Sequence, residues 1–280
     1  MSTLTGDPAR TAIRPDAADR VRQIVVIASA VAALVGAVVG SGLVGGTPIP
    51  EVAGGALSAD ATLLAPAGPA FAIWSVIYAG LVLYAIWQAL PSQAGRERQR
   101  RVGYWMVASL LLNAAWILSV QAGLLALSVA VIAALLVVLI VTFARLRAYP
   151  GGTMADAILF DGTTGLYLGW VMVATVANVA AGLTQAGFDG FGWSPHAWGL
   201  VVVAVVAVVC CALAVWDRGR FAPAVASAWG LAWVGVSRLD GALPSAPVAV
   251  AAFAAAALVL LVAVAVRVAG RSHPSGRPRR

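Results

Sequence analysis

The chain has no lysine, two cysteines, two histidines and only 10% charged residues, and each shortage closes off a class of function. Soluble domains carry about one quarter charged and about one half apolar residues. With 61% apolar residues over 280 positions and a mean hydropathy of +0.93, this composition belongs to a polytopic membrane protein. Cys210 and Cys211 are adjacent within an apolar run; a vicinal bridge is strained, so they read as small packing residues. His196 and His273 have no Cys, carboxylate or second His at ligand spacing, which argues against a metal or an axial haem ligand, and no cofactor is expected. All 18 basic residues are Arg and punctuate apolar runs. The net charge of +7 therefore does not point to nucleic acid, which needs basic residues gathered on a soluble surface. Absence of lysine in an Ala- and Gly-rich chain is the pattern of a GC-rich bacterial genome. The first residues, MSTLTGDPARTAIRPDAADRVRQ, mix both charge signs and show no small-residue cleavage site behind a short apolar run. No removable signal peptide is expected.

What is present is hydrophobic length. Taking about 20 apolar residues as one membrane crossing, the sequence predicts an all-α membrane protein with eight spans: Ile24 to Leu43, Phe71 to Leu90, Val102 to Val120, Leu124 to Ala144, Ala157 to Leu183, Ala197 to Trp216, Ala222 to Ser237 and Val248 to Val268. The seventh is the shortest. Arginines test the count: they precede span one and follow spans two, four, six and eight, leaving only Arg238 on the other side. By the positive-inside rule both termini are cytoplasmic, in the plasma membrane of a cell. Ala32, Gly36 and Gly40 form a small-residue stripe on span one that serves packing within the chain or, alternatively, a homodimer seam. The Gly-, Pro- and Ala-rich stretch from Gly45 to Pro69 lies on the outer side and is long enough to act as a lid or, alternatively, to be a disordered connection.

Chemistry is concentrated in the fifth span, whose core reads FDGTTGLYLGWVMVATVANVAA. At about 100° per residue, Thr164, Tyr167, Val171, Thr175 and Asn178 share a face, with Trp170 beside it. An amide, a phenol and hydroxyls have no use in lipid, so this face should look into a bundle or cavity. Span two places Trp74 and Tyr78 one turn apart, and span three holds Asn113 and Trp116. A rise of about 1.5 Å per residue puts Asn113, Trp116, Tyr167, Trp170 and Tyr78 between the midplane and the outer leaflet, too deep for an interfacial aromatic belt. Trp74 lies at an intermediate depth, while Trp87, Trp105, Trp198 and Trp216 fall near span ends and read as belt. Asp161, close to the inner interface, reads as an Arg-paired or solvated carboxylate rather than a proton relay.

These residues carry a family resemblance. AIWSVIY of span two, LNAAW of span three and YLGWVMVATVAN of span five resemble the tryptophan-rich sensory protein, or translocator protein (TspO/MBR), family, a five-helix bundle with a long outer loop after its first helix. The resemblance covers about residues 20 to 183. It implies a membrane-embedded pocket for porphyrin-like or sterol-like hydrophobic ligands, and ligand-binding roles for Trp74, Asn113, Trp116, Tyr167, Trp170 and Asn178; depth and helical spacing add Tyr78 to the expected ligand-binding set. Departures are Gly68 and Ala72 where the family has Trp and Pro, the lack of a Tyr-to-Arg/Lys motif after Asn178, and three additional spans. The expected organisation is a cytoplasmic tail at 1–23, a TspO-like bundle at 24–183, three further helices at 184–268 that read as scaffold, and a basic tail at 269–280. The expected function is binding of a tetrapyrrole-like ligand in the outer-leaflet half for sensing or regulated transport. The alternative is an eight-helix transporter of a small hydrophobic or weakly polar solute. An enzyme acting on a bound porphyrin ranks third, since no nucleophile and base stand together within the spans.

Overall fold

A computed structural model describes residues 15–42 and 47–272. The N-terminal arginines Arg10 and Arg14, loop residues 43–46, and the tail with His273, Arg277, Arg279 and Arg280 lie outside the described residues. Eight long helices follow one another: α1 Ala17–Gly40, α2 Ile73–Gln88, α3 Glu97–Gln121, α4 Leu125–Ala148, α5 Thr163–Gln185, α6 Pro195–Trp216, α7 Phe221–Ser237 and α8 Ala246–Ser272. No strand occurs among the described residues. A 3₁₀ turn, Gly68–Ala72, leads into α2, and a π turn, Asp156–Gly162, leads into α5. Seven of the helical segments are long and apolar enough to cross a membrane; α7, at 17 residues, is the shorter apolar helix. The chain is an all-α membrane protein.

The start of α1 is set by polar chemistry and its packing face by side-chain size. The first helix begins seven residues ahead of its apolar run because Asp16 and Asp19 form a capping box, each carboxylate accepting the other's backbone N–H at 2.9 and 3.2 Å. Its packing face on α3 is Val26, Ala30, Ala33, Gly36 and Gly40. A Cβ at Gly36 would meet Ala114 at 3.5 Å and one at Gly40 would meet Ile117 at 2.9 Å, so the small residues are spent inside the chain. Ala32 is exposed and Ala33 takes its place, a one-position correction to the expected stripe.

Helices α1, α3, α4 and α5 pack in sequence, with α2 lying across α1 and α5. Helix α7 then packs on α5 and α8, and α8 on α6. The α5–α7 contact depends on two glycines: a Cβ at Gly165 would sit 2.9 Å from Pro223, and one at Gly169 2.3 Å from the Pro223 carbonyl oxygen. Two apolar cores result. The first fills the α1–α5 bundle and includes Ala226 of α7; the second fills α6–α8 and includes Leu63 of the loop after α1. Each core thus borrows a residue from across the division near residue 183.

The arginine-rich end is tied by ion pairs. Arg98 joins Asp156 at 3.2 Å and Asp161 at 2.6 Å; Arg96 also reaches Asp156 at 3.0 Å, and Arg220 reaches Asp161 at 3.1 Å. Asp161 is thus an Arg-paired carboxylate linking α3, the π turn and the segment before α7. The aromatic side chains near this end carry the guanidinium groups: Arg96 lies 6.0 Å from Trp87, Arg145 5.0 Å from Trp105 and Arg147 3.8 Å from Trp216.

Candidate functional site

The sequence-predicted aromatic residues of α2, α3 and α5 meet in one cluster, and Trp74 is its hub. Its ring lies 5.4 Å from Tyr78 and 6.2 Å from Trp116, both stacked, and makes edge contacts with Tyr167 at 5.8 Å and Trp170 at 6.2 Å. Trp74, ambiguous by depth alone, belongs to the cage. Phe71, one turn earlier, adds an edge contact to Trp170 at 5.8 Å; an aromatic residue three before Trp74 was the available signal for it. Tyr167 and Asn113 are fully buried, Trp170 is 1% exposed and Trp116 4%.

Polar groups bind this cluster together and leave donors over. The Tyr78 hydroxyl donates to Asn113 Oδ1 at 2.5 Å, the Tyr167 hydroxyl to the Ser109 carbonyl at 3.3 Å, and Ser128 Oγ of α4 to Asn178 Oδ1 at 3.2 Å. Thr175 departs from its expected place: its hydroxyl returns to the Val171 carbonyl at 2.7 Å, and the side chain lines a different cavity, between α5 and α6. Thr164 does point inward, against Met106 Sδ at 3.7 Å.

Among the described residues, nine buried side-chain polar atoms have no hydrogen-bond partner in the protein, and five of them surround this cluster: the indole nitrogens of Trp74, Trp116 and Trp170 and the amide nitrogens of Asn113 and Asn178. All five are N–H donors. An unmade hydrogen bond on a buried group costs about 1–3 kcal/mol, and isolated exceptions call for an explanation. Five such donors stand at this one place.

Above the cage lies the segment between α1 and α2, whose Ile49, Leu57, Thr62, Ala65 and Pro66 close it against Trp74, Trp116, Trp170, Ala174, Ala177 and Asn178. The enclosed cavity is about 30 Å³, enough for one or two waters and far below the several hundred Å³ of a small-molecule pocket. Residues 47–72 of this segment form a strap over the aromatic cluster.

Helix α7 holds the strap down. Ala67 N–H donates to the Trp233 carbonyl at 3.1 Å, Ser237 Oγ to the Ala65 carbonyl at 2.6 Å and Trp229 Nε1 to the Ala70 carbonyl at 2.9 Å. Arg238, the one arginine at this end, is 1% exposed and donates to the carbonyls of Ala59 at 2.5 Å and Leu243 at 2.7 Å. These partners were not legible in sequence, although Trp229 and Trp233, one turn apart, marked α7 as unlike its Val- and Ala-rich neighbours.

No group of three metal-ligating side chains occurs among the described residues, and Cys210 and Cys211 are free thiols, the first of them buried. In comparisons with known proteins, no curated protein and no solved structure matches the chain. A family model described as TSPO-like protein does match, over residues 24–265, and so takes in α6, α7 and most of α8 as well as the aromatic cage. By composition, helical architecture and this match over most of its length, the chain belongs to the TSPO-like protein family.

Proposed function

We propose that the cage binds a flat hydrophobic molecule carrying hydrogen-bond acceptors, porphyrin-like in the first instance and sterol-like in the second. Binding lies in the arginine-poor half of the bundle and serves sensing or regulated transport in a plasma membrane whose cytoplasmic face meets both termini. The observation that carries this reading is the set of five unpaired N–H donors around stacked rings. Aromatic faces supply sequence-tolerant stacking to a planar molecule, and a few placed polar groups fix its orientation. A ligand with edge acceptors would pair with these donors, and that gain offsets the cost of lifting the strap. This is a binding role, with the acceptors on the ligand and the donors on the protein.

Titrating the purified protein with protoporphyrin while following tryptophan fluorescence tests the reading. Saturable quenching is expected at a stoichiometry of one ligand per cage. Asn113→Leu and Asn178→Leu each remove one idle donor, together with the acceptor of the Tyr78 hydroxyl or of Ser128 Oγ, and should weaken binding by at least about 5- to 12-fold, as expected for a hydrogen bond of about 1–1.5 kcal/mol. A protein that folds but shows no saturable quenching by any porphyrin or sterol would leave the cage as core packing.

A further inference from the structure

A second cavity lies away from the cage. A crevice of about 840 Å³ lies between the second half of α5 and the first half of α6, at the arginine-poor end. Helices α5 and α6, although consecutive, pack mainly elsewhere: α5 on α4 and α7, and α6 on α8. The crevice walls are Leu63, Val176, Val179, Leu183, Gly199 and Val202, an apolar slot within the size range of small-molecule sites.

The rim has a different chemistry. The hairpin between α5 and α6 brings Phe188, Trp193 and Trp198 to the crevice, with Phe188 and Trp198 ring centroids 6.0 Å apart and Trp193 and Trp198 5.7 Å apart. Trp198 is fixed there by donating Nε1–H to the Gly190 carbonyl at 2.8 Å. Gly190 has φ +71°, and a Cβ on it would meet that same indole nitrogen at 2.9 Å, so the tight turn and the ring position require each other. Asp189 is the one carboxylate lining the crevice, its Oδ1 accepting the Phe191 N–H at 2.9 Å and leaving Oδ2 for a ligand; no arginine lines it, and His196, which does, is bonded through Nδ1 to Ser245 Oγ at 2.8 Å. Arg238, the one arginine at this end, is buried and already engaged by backbone carbonyls. The end as a whole carries Glu51, Asp60, Asp189 and Asp240 against that single arginine. At the exposed rim this excess of carboxylates favours a cation.

Aromatic faces beside a carboxylate form the environment that recognises a cation lacking strong hydration, and the apolar slot behind them accepts its hydrocarbon body. We propose that the crevice is a binding site for a lipophilic monocation, separate from the cage: the hydrocarbon lies between α5 and α6, and the positive centre lies against the Phe188, Trp193 and Trp198 rim and Asp189.

The test uses the full chain in dodecylmaltoside micelles and radiolabelled tetraphenylphosphonium, with protein-free micelles as the blank. Saturable binding of one cation per chain is expected. Asp189→Asn, on an exposed turn, should weaken it at least about fivefold, and Trp193→Ala about 2- to 30-fold. Leu183→Trp, which fills the slot, should abolish it. Trp105→Phe, at the arginine-rich end, should leave it unchanged. Elution profile and thermal midpoint confirm that each variant is folded. Absence of saturable binding above the blank overturns the site; full-strength binding to Asp189→Asn overturns the charge recognition, and full-strength binding to Leu183→Trp overturns the location.

Discussion

Replacing Arg238 by Gln asks what keeps the cage closed. The guanidinium donates to the Ala59 and Leu243 carbonyls and to Ser237 Oγ, and hydrogen bonds from a charged donor contribute about 1.5–3 kcal/mol each. Against that stands the cost of burying the charge: desolvation lowers the Arg238 pKa below the usual arginine value, with Asp60 opposing the shift. Of these hydrogen bonds only the one to Ala59 crosses to the strap, so losing it while recovering part of the desolvation cost leaves a net loss of about 1–2 kcal/mol in strap closure, which raises local opening by about 5- to 30-fold. Hydrogen exchange followed by mass spectrometry reads this directly. Peptides from residues 56–67 of Arg238→Gln should exchange faster by that factor, while peptides from α4 keep the wild-type rate. Unchanged exchange in 56–67 would refute the pin, and a uniform rise across the chain would show global destabilisation instead.

Further expectations follow from packing and charge. Gly169→Val places a side chain against the Pro223 carbonyl, where even a Cβ would be at 2.3 Å, and should cost about 3 kcal/mol, seen as a fall in thermal midpoint; Gly270→Ala, with open space around it, should be neutral or slightly stabilising. Asp217 follows α6 and is buried, its Oδ2 without a partner; burial pushes its carboxyl up to about 6, against the Arg220 and Gly219 N–H groups and the charges of Arg220 and Arg147. A folded pKa above the unfolded value means that the stabilisation is present below about pH 4 and lost as pH rises through about 6. Asp217→Asn should therefore raise the thermal midpoint at pH 7.5, by the equivalent of about 2 kcal/mol or less, and have no effect at pH 4; equal effects at both would contradict the sign. With Cys210 and Cys211 replaced, a single cysteine at Ser58 should react with an impermeant maleimide from outside intact cells; labelling only after lysis would reverse the assigned orientation.

Periodicity and charge placement made much of this molecule legible. Apolar run length gave the helices, and alternating arginines placed their ends. The i, i+4 spacing of Trp74 and Tyr78 and the polar face of α5 brought the cage residues forward because a buried amide or phenol in a membrane helix needs a partner. Helical phase alone assigns a face, however, and not its neighbour. Thr175 satisfies its hydroxyl on its own helix and so needs no cage, and Ala33 rather than Ala32 meets α3 because an alanine stripe carries no polar penalty to fix its phase. Gly165 and Gly169 signalled close packing without naming Pro223 and Ala226 as what approaches. The role of α7 as a wedge between two cores, and as the anchor of the strap, rests on backbone carbonyls at Ala59, Ala65 and Ala70. No sequence pattern encodes such acceptors.

The central claim is that the rings of α2, α3 and α5 form a ligand cage and not only a core, and a pair of conservative substitutions tests it most directly. Trp170→Phe keeps most of the apolar volume, removes one idle donor and shrinks a ring in contact with Phe71 and Trp74. Trp87→Phe makes the same chemical change near the other end of α2, beside Tyr84 and Arg96. Measured by protoporphyrin titration of both variants, the affinity of Trp170→Phe should fall about 3- to 10-fold, since aromatic contacts contribute about 0.5–1.5 kcal/mol beyond burial, and that of Trp87→Phe should match the wild type. If both variants lose thermal stability and neither changes affinity for any porphyrin or sterol, Trp170 is a packing residue and the cage reading is contradicted.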